Sequence, residues 1–277
     1  MHTLHLSLQD LKDYISWPYF FHAWSIPVHQ QNSEEAVSLQ ADALKLLERL
    51  SEKGYQAHFR FRLFRAYSQE DDIVLIDKDD THVHIPFLRQ QRTSENNVCL
   101  CLSDFVRPLK EEGELDSVGL FAATVDRDAV LQDQQDDYLY LLSQTLCDRI
   151  AEAASEYGHL EVRRHLWGYA PKENLPISEL LKGHFQGIRP AVGYPCLPDQ
   201  SLNFLLAELL DFPSLGITLT ESAAMLPHAS VSGLMFSHPL ARYFEVGTIG
   251  KDQLQDYEKR RHWKAGSLKS FLRVENS

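Results

Sequence analysis

The residue types able to hold a charged small ligand are concentrated in one stretch, Gln186-Gly187-Ile188-Arg189-Pro190-Ala191-Val192-Gly193-Tyr194-Pro195-Cys196-Leu197-Pro198. An arginine guanidinium grips a carboxylate or phosphate through two parallel N–H donors. Tyr194 adds a flat ring with a polar tip. Three prolines and two glycines in thirteen residues exclude a helix or a central strand, because each proline fixes φ and lacks an N–H donor. The segment is expected to be a stiff loop that presents Arg189, Tyr194 and its backbone groups with few conformations to lose on binding. At this level a plain Pro/Gly-rich connector is the other reading.

Other chemistry-bearing residues are scattered. His82 and His84 share one strand face, but no third ligand converges with them, so they read as half-exposed strand histidines rather than a metal pair. Cys99 and Cys101 have C-x-C spacing on an expected strand, without a second pair at zinc spacing, and read as core thiols. Asp136 and Asp137 could do acid/base work, yet helical neighbours point about 100° apart. They read as an acidic first turn favoured by the helix dipole. The chain contains no G-x-G-x-x-G, no Walker loop, no H-E-x-x-H and no G-x-S-x-G. No Ser/His/Asp or Cys/His set assembles from spacing, so the residues offer a ligand loop without a nucleophile or base.

The elements that must carry the loop read as follows. Leu8 to Ile15 suits a short helix capped by Ser7, followed by the aromatic cluster from Trp17 to Trp24, which must be mostly buried, either as a core corner or as the wall of a site. Asn32 or Ser33 caps a helix whose apolar side runs from Val37 through Leu50 and which ends at Gly54. The period then changes to two. Phe59, Phe61 and Leu63 alternate with Arg60 and Arg62, giving a strand with one apolar face, and Ile73–Ile76 and His82–Phe87 continue a meander. Val98–Leu102 is a further expected strand, and the apolar run Val118–Val125 a central one buried on both faces. One long helix is expected from Asp128 to about Gly158, with Glu152 on its polar side. Then come a short helix near Pro176–Ser178, a helix at Ser201–Leu210, strands at Ile217–Thr220, Gly233–Phe236 and Tyr243–Val246, and a last helix from Asp252 to Arg261. That order describes an α+β fold rather than alternating βαβ units.

With 277 residues, 44% hydrophobic and 24% charged, the chain can bury a sizeable core. Its formal charge of −12 argues against nucleic acid or an anionic membrane as partner. The basic run Lys259–Lys264 reads as a solvated helix end. No apolar run reaches the roughly 18 residues that a membrane span requires. Four cysteines and an N-terminus without an export signal fit free thiols in the cytoplasm.

Beyond pattern, specific strings carry a resemblance. The loop Gln186–Pro195 is joined in order by Tyr14-Ile15 with Phe20-Phe21, Leu88-Arg89-Gln90-Gln91, Ser103-Asp104-Phe105-Val106, Gln135-Asp136-Asp137-Tyr138, Ala151-Glu152-Ala153, Trp167-Gly168-Tyr169-Ala170, Ala229-Ser230-Val231-Ser232-Gly233 and Phe236-Ser237-His238-Pro239. Together they resemble the activation domain of cobalamin-dependent methionine synthase over nearly the whole chain. The resemblance implies a single curved α+β domain spanning residues 1–277, with a twisted antiparallel sheet and flanking helices. It implies S-adenosylmethionine in a shallow groove and cobalamin on a partner methionine synthase chain, reduced by a flavodoxin-type donor. Carried over residue by residue, Arg189 would meet the ligand carboxylate, backbone groups of Ala191 and Gly193 would hold the ligand, Tyr194 and Tyr243 would line it, and Glu152 would form an acidic wall.

Several positions depart from the family pattern. Ser16 stands where the family has the aspartate of Y-I-D-W, and Gly183-His184 where a glutamate is common. Val192 replaces a loop proline, Phe244 the second of two tyrosines, and Gln200-Ser201-Leu202-Asn203 an H-T-E-K string. Two readings follow: a stand-alone reactivation module of the methyltransferase system, or an interaction scaffold for a corrinoid protein that has given up the ligand. A third is methyl transfer to another corrinoid protein. With no cobalamin, homocysteine or folate module in sight, the chain is not expected to make methionine by itself.

Overall fold

A computed structural model describes residues 1–92, 98–109 and 114–272. Its centre is β2 (Gln56–Gln69), a strand long enough to pair with two neighbours along one edge. β1 (His2–Ser7) pairs with its first half, setting His2 opposite Phe61 and Ser7 opposite Gln56. β3 (Asp72–Ile76) pairs with its second half and leads to β4 (His82–Pro86), the expected meander. On the other edge β2 meets β5 (Asp116–Val125), and β5 meets β8 (Ser230–Met235). Every pairing is antiparallel, in the order β4-β3-β2-β5-β8.

Both sheet faces are covered, as the strand pattern dictates. Side chains alternate across a strand: Phe121, Ala123 and Val125 of β5 enter one core, and Leu120 and Ala122 the other. The first core is closed by α1 (Trp17–Ala23), α2 (Glu34–Glu52) and α4 (Asp137–Glu161). The second is closed by α6 (Leu202–Leu210), through Leu202, Leu206 and Leu210, with Phe212 beside it. α7 (Lys251–Arg260) adds a small outlying cluster around Tyr257. The remaining elements are short: α3 (Arg127–Val130), α5 (Ile177–Leu180), and a two-stranded pair, β6 (Thr218–Leu219) with β7 (Met225–Leu226).

The expected cap of α2 is present: Ser33 Oγ accepts the Ala36 amide at 3.2 Å. The single helix expected from Asp128 is broken instead. Asp133 adopts φ +58°, and Asp136 restarts the helix by accepting the Leu139 amide at 3.0 Å. Leu8–Ile15 is not a helix either. β1 extends through Ser7, and the buried Leu8, Leu11 and Ile15 are reached by turns and a 3-10 turn at Lys12–Tyr14. Val98–Leu102 and Tyr243–Val246 are irregular rather than strands. The first is tied by a side chain, with Gln90 Oε1 accepting the Leu100 amide at 2.9 Å, and the second by the Val246 amide donating to the Pro195 carbonyl at 3.0 Å. Cys99 and Cys101 therefore share no strand face, and all four cysteines are unpaired.

The polar side of β2 is not solvated as its alternation suggested. Arg60 is buried and donates from Nη1 to the carbonyls of Leu210 (3.0 Å) and Asp211 (2.9 Å), satisfying the C-terminal end of α6. Among the described residues, no group of three or more His, Cys, Asp or Glu is placed to hold a metal ion, and no helix is long and apolar enough to cross a membrane.

Candidate functional site

The stiff loop does not float. Ile188 and Phe236 exchange both backbone hydrogen bonds, at 3.0 and 2.9 Å, the Leu234 amide donates to the Pro190 carbonyl at 3.0 Å, and the Val192 amide donates to the Ser232 carbonyl at 2.9 Å. The loop is thus an irregular edge strand on β8. This edge position accommodates its prolines, whose missing donors would break a central ladder. Gly187 and Gly193 take φ +82° and +93°, which only glycine adopts without strain. At Gly193 a β-carbon would also stand 2.3 Å from Gln200 Nε2.

Pairing with β8 fixes where Arg189 goes. Its side chain is buried, passing over the Phe121 ring with the guanidinium carbon 5.3 Å from the centroid. Its backbone amide donates to the Tyr243 hydroxyl at 3.0 Å, and Nη2 donates to Glu156 Oε1 at 2.6 Å. Among the described residues neither Nε, which is buried, nor Nη1, which is not, has a hydrogen-bond partner. Burial works to lower the guanidinium pKa, but Glu156 first, then Tyr243, Tyr194 and Glu152, outweigh it and raise it. The cation is locked on.

Arg189 forms one wall of a groove of about 320 Å³. α4 supplies the opposite charge through Glu152 and Glu156, one helical turn apart on the same face. Arg149 Nη1 donates to Glu152 Oε2 at 2.8 Å. Burial raises the Glu152 carboxyl above its ordinary value; Arg149 and Arg189 oppose the rise, while Glu156 and Asp148 add to it. The rings of Tyr194 and Tyr243 stand 6.2 Å apart, both partly exposed. Burial pushes the Tyr243 phenol up to about 12 and raises Tyr194 as well, so both remain neutral donors and acceptors at neutral pH. Tyr14, Ser16 and Tyr19 from the N-terminal segment and Leu181 to Gly183 with Phe185 complete the lining.

Of the residues singled out from sequence, Arg189, Tyr194, Tyr243, Glu152 and Ser16 converge on this groove. Ala191, Gly193 and Phe244 do not line it. Ala191 is buried in an antiparallel bridge to Gly233, Gly193 donates its amide to the Leu197 carbonyl at 2.8 Å, and Phe244 packs toward Phe105 in the second core, ring to ring at 6.5 Å. Gly193 is nonetheless partly exposed, next to Tyr194. Ser16 is the N-cap residue of α1, and its side chain makes no capping bond. Gly183 sits at φ +75°, with open space where a β-carbon would be. Sequence reasoning missed Glu156, which was legible as a second acid four residues beyond Glu152. Tyr19 belongs to the aromatic cluster expected as a core corner or a site wall, from which it projects as an exposed ring beside the groove.

The chain is thus an α+β domain, an antiparallel sheet with helices on both faces, carrying a groove in which a buried arginine faces two glutamates. The family described as "Vitamin B12 dependent methionine synthase, activation domain" matches residues 7–262. The chain belongs to that family. A solved structure described as the MetH reactivation domain bound to AdoHcy is 37% identical, with a TM-score of 0.90, and the alignment covers 100% of this chain and 90% of that one.

Proposed function

We propose that this chain is a reactivation module that binds S-adenosylmethionine in the groove beside Arg189 and presents its methyl group to cobalamin carried by a partner methionine synthase chain. The buried, half-satisfied Arg189 carries this reading. A guanidinium taken out of water at considerable cost, with its accessible Nη1 donating to no group among the described residues, is suited to receive a carboxylate. Likeness to a relative whose solved structure holds AdoHcy supports the choice of ligand. The groove suits it: Arg189 meets the amino-acid carboxylate, and the partly exposed Tyr194 and Tyr243 flank the nucleoside. Bound S-adenosylmethionine supplies a sulfonium methyl group, which leaves a neutral thioether when transferred. The chain's contribution is to bind and orient, since in this reading the methyl acceptor is carried by the partner and not by a side chain of the groove.

That residues 1–277 act as one domain is part of this proposal, supported by two cores that share β2 and β5. So are a flavodoxin-type reductant and a cytoplasmic setting, the latter in keeping with four unpaired cysteines. Calorimetric titration with S-adenosylmethionine and S-adenosylhomocysteine should give dissociation constants in the roughly micromolar range, and Arg189→Ala should abolish the heat. No heat and no thermal shift at millimolar ligand would refute the methyl-donor role.

One observation favours a second reading. Ser16 and Gly183 bring no charge to the groove, so a scaffold that docks on a corrinoid protein without ligand is the competing function. Docking that requires S-adenosylmethionine would eliminate it.

A further inference from the structure

An α-amino acid is a zwitterion, and recognising it takes a cation for the carboxylate and an anion for the ammonium group two bonds away. Arg189 is the buried cation of the groove. Its candidate anions can be ranked by what already occupies them. Glu152 is engaged by Arg149 at 2.8 Å. Glu179, nearby on α5, is engaged by both Lys182 (2.8 Å) and His184 (2.7 Å). Glu156 is different. One of its oxygens accepts from Arg189 at 2.6 Å, its side chain remains 23% exposed, and it lines the groove. Among the described residues no donor reaches its other oxygen, which is equally true of Glu152; what sets Glu156 apart is that its partner is Arg189 itself, so an ammonium group two bonds from a carboxylate held by Arg189 meets Glu156 first.

The pair Arg189–Glu156 therefore presents, side by side, the guanidinium Nη1, which donates to no group among the described residues and is not buried, and an unpartnered carboxylate oxygen. We propose that Glu156 is the counter-ion for the ligand's α-ammonium group, so that the Arg189–Glu156 pair receives the amino-acid zwitterion head to tail. This rests on the reading that the groove binds an S-adenosyl compound. It goes further in assigning which carboxylate takes over the positive end and in predicting a specificity: ligands that keep the ammonium are selected over those that lack it.

The test uses the full chain with two probes, S-adenosylhomocysteine and its deaminated analogue, which keeps the carboxylate but has no α-amino group. Wild-type protein is expected to bind the first at least about tenfold more tightly, the effect of one charge-assisted contact. Glu156→Gln should remove that preference by weakening S-adenosylhomocysteine alone. Glu156→Asp, which keeps the charge but withdraws it by one methylene, should fall between; it also serves where Glu156→Gln fails to fold. Wild-type protein that binds both probes equally overturns the inference, as does a Glu156 variant that weakens both equally, since the glutamate then acts only by holding Arg189. Wild-type protein that binds neither probe overturns the ligand-binding reading itself, an outcome distinguishable from the other two.

Discussion

Gly233 of β8 and Pro190 of the loop meet backbone to backbone: a β-carbon on Gly233 would stand 2.1 Å from the Pro190 carbonyl oxygen and 2.8 Å from the Ala191 α-carbon. Neither neighbour is a flexible side chain. The same carbonyl accepts the Leu234 amide at 3.0 Å, so the contact is part of the pairing that aims Arg189 into the groove.

Gly233→Ala is therefore expected to prise the loop from the sheet edge. Overpacking of this kind costs about 1–3 kcal/mol, read as a lower urea midpoint. The sharper expectation is that ligand affinity falls more than the fraction of folded protein explains, because Arg189 moves with the loop. A variant that loses stability but keeps wild-type affinity would show that the loop holds Arg189 without β8.

Arg189→Lys separates charge from shape. Lysine keeps one positive charge but offers a point donor where the guanidinium gives Nη2 to Glu156 and keeps Nη1 for the groove. It should retain the ion pair with Glu156 and most of the stability. Ligand affinity should fall at least about tenfold, the loss of one charge-assisted hydrogen bond. Calorimetry beside a thermal melt reads both quantities, and unchanged affinity would count against bidentate recognition.

His159 gives stability a pH dependence whose sign can be worked out. It is fully buried on α4, within 3.2 Å of the Tyr169 hydroxyl and edge-on to Phe185, whose ring lines the groove. Burial, helped by Arg163 and Arg189, holds its pKa well below the ordinary 6.5. Below pH 6.5 the unfolded chain takes up a proton that the folded chain refuses, so this contribution is complete above 6.5 and is lost as pH falls toward the folded value. The slope for one such proton is at most about 1.4 kcal/mol per pH unit. His228 works in the opposite sense: Asp148, at 2.6 Å, raises its pKa, so its contribution is present at low pH and fades above 6.5. Comparing wild type with His159→Gln between pH 7.5 and 5 cancels the His228 effect. The variant should lose less stability on acidification, and parallel curves would assign the slope to other groups.

What could be read from sequence was what neighbours along the chain decide. Ser33 caps α2 because its hydroxyl stands three residues before the amide it accepts, and β5 declares its burial on both faces by the almost wholly apolar run Val118–Val125. The loop's stiffness followed from prolines and glycines, and Arg189 from lying within it. What sequence concealed depends on partners far along the chain. Arg60 looked solvated because the carbonyls that bury it belong to Leu210 and Asp211. β1 became a strand only by pairing with β2, from His2 opposite Phe61 to Ser7 opposite Gln56. Glu156 gains its meaning from Arg189, 33 residues away and on a different element. The break before α4 was the exception, since Asp136 carried a legible cap signal inside an apolar periodicity that seemed to run through it.

Ser16→Asp tests whether the groove can be given the charge it lacks. Ser16 lines the groove and stands at the N-cap of α1 in an extended conformation (φ −78°, ψ 94°), with its carbonyl accepting the Phe20 amide at 3.1 Å. Pro18 has no amide to donate, so among the positions an N-cap side chain serves, the Tyr19 amide is the one left for an aspartate. The new carboxylate thus has two competing uses. As a cap it would stabilise α1 by about 0.5–1 kcal/mol without ligand. Turned into the groove it would add an anion for the ligand's ammonium group and tighten S-adenosylhomocysteine by up to about tenfold. Both effects are expected, and introducing the change into Glu156→Gln should restore part of the affinity that variant loses. A higher melting temperature with no gain in affinity, in either background, would mean that the aspartate stays on the Tyr19 amide and that position 16 lies beyond reach of the ligand's charged end.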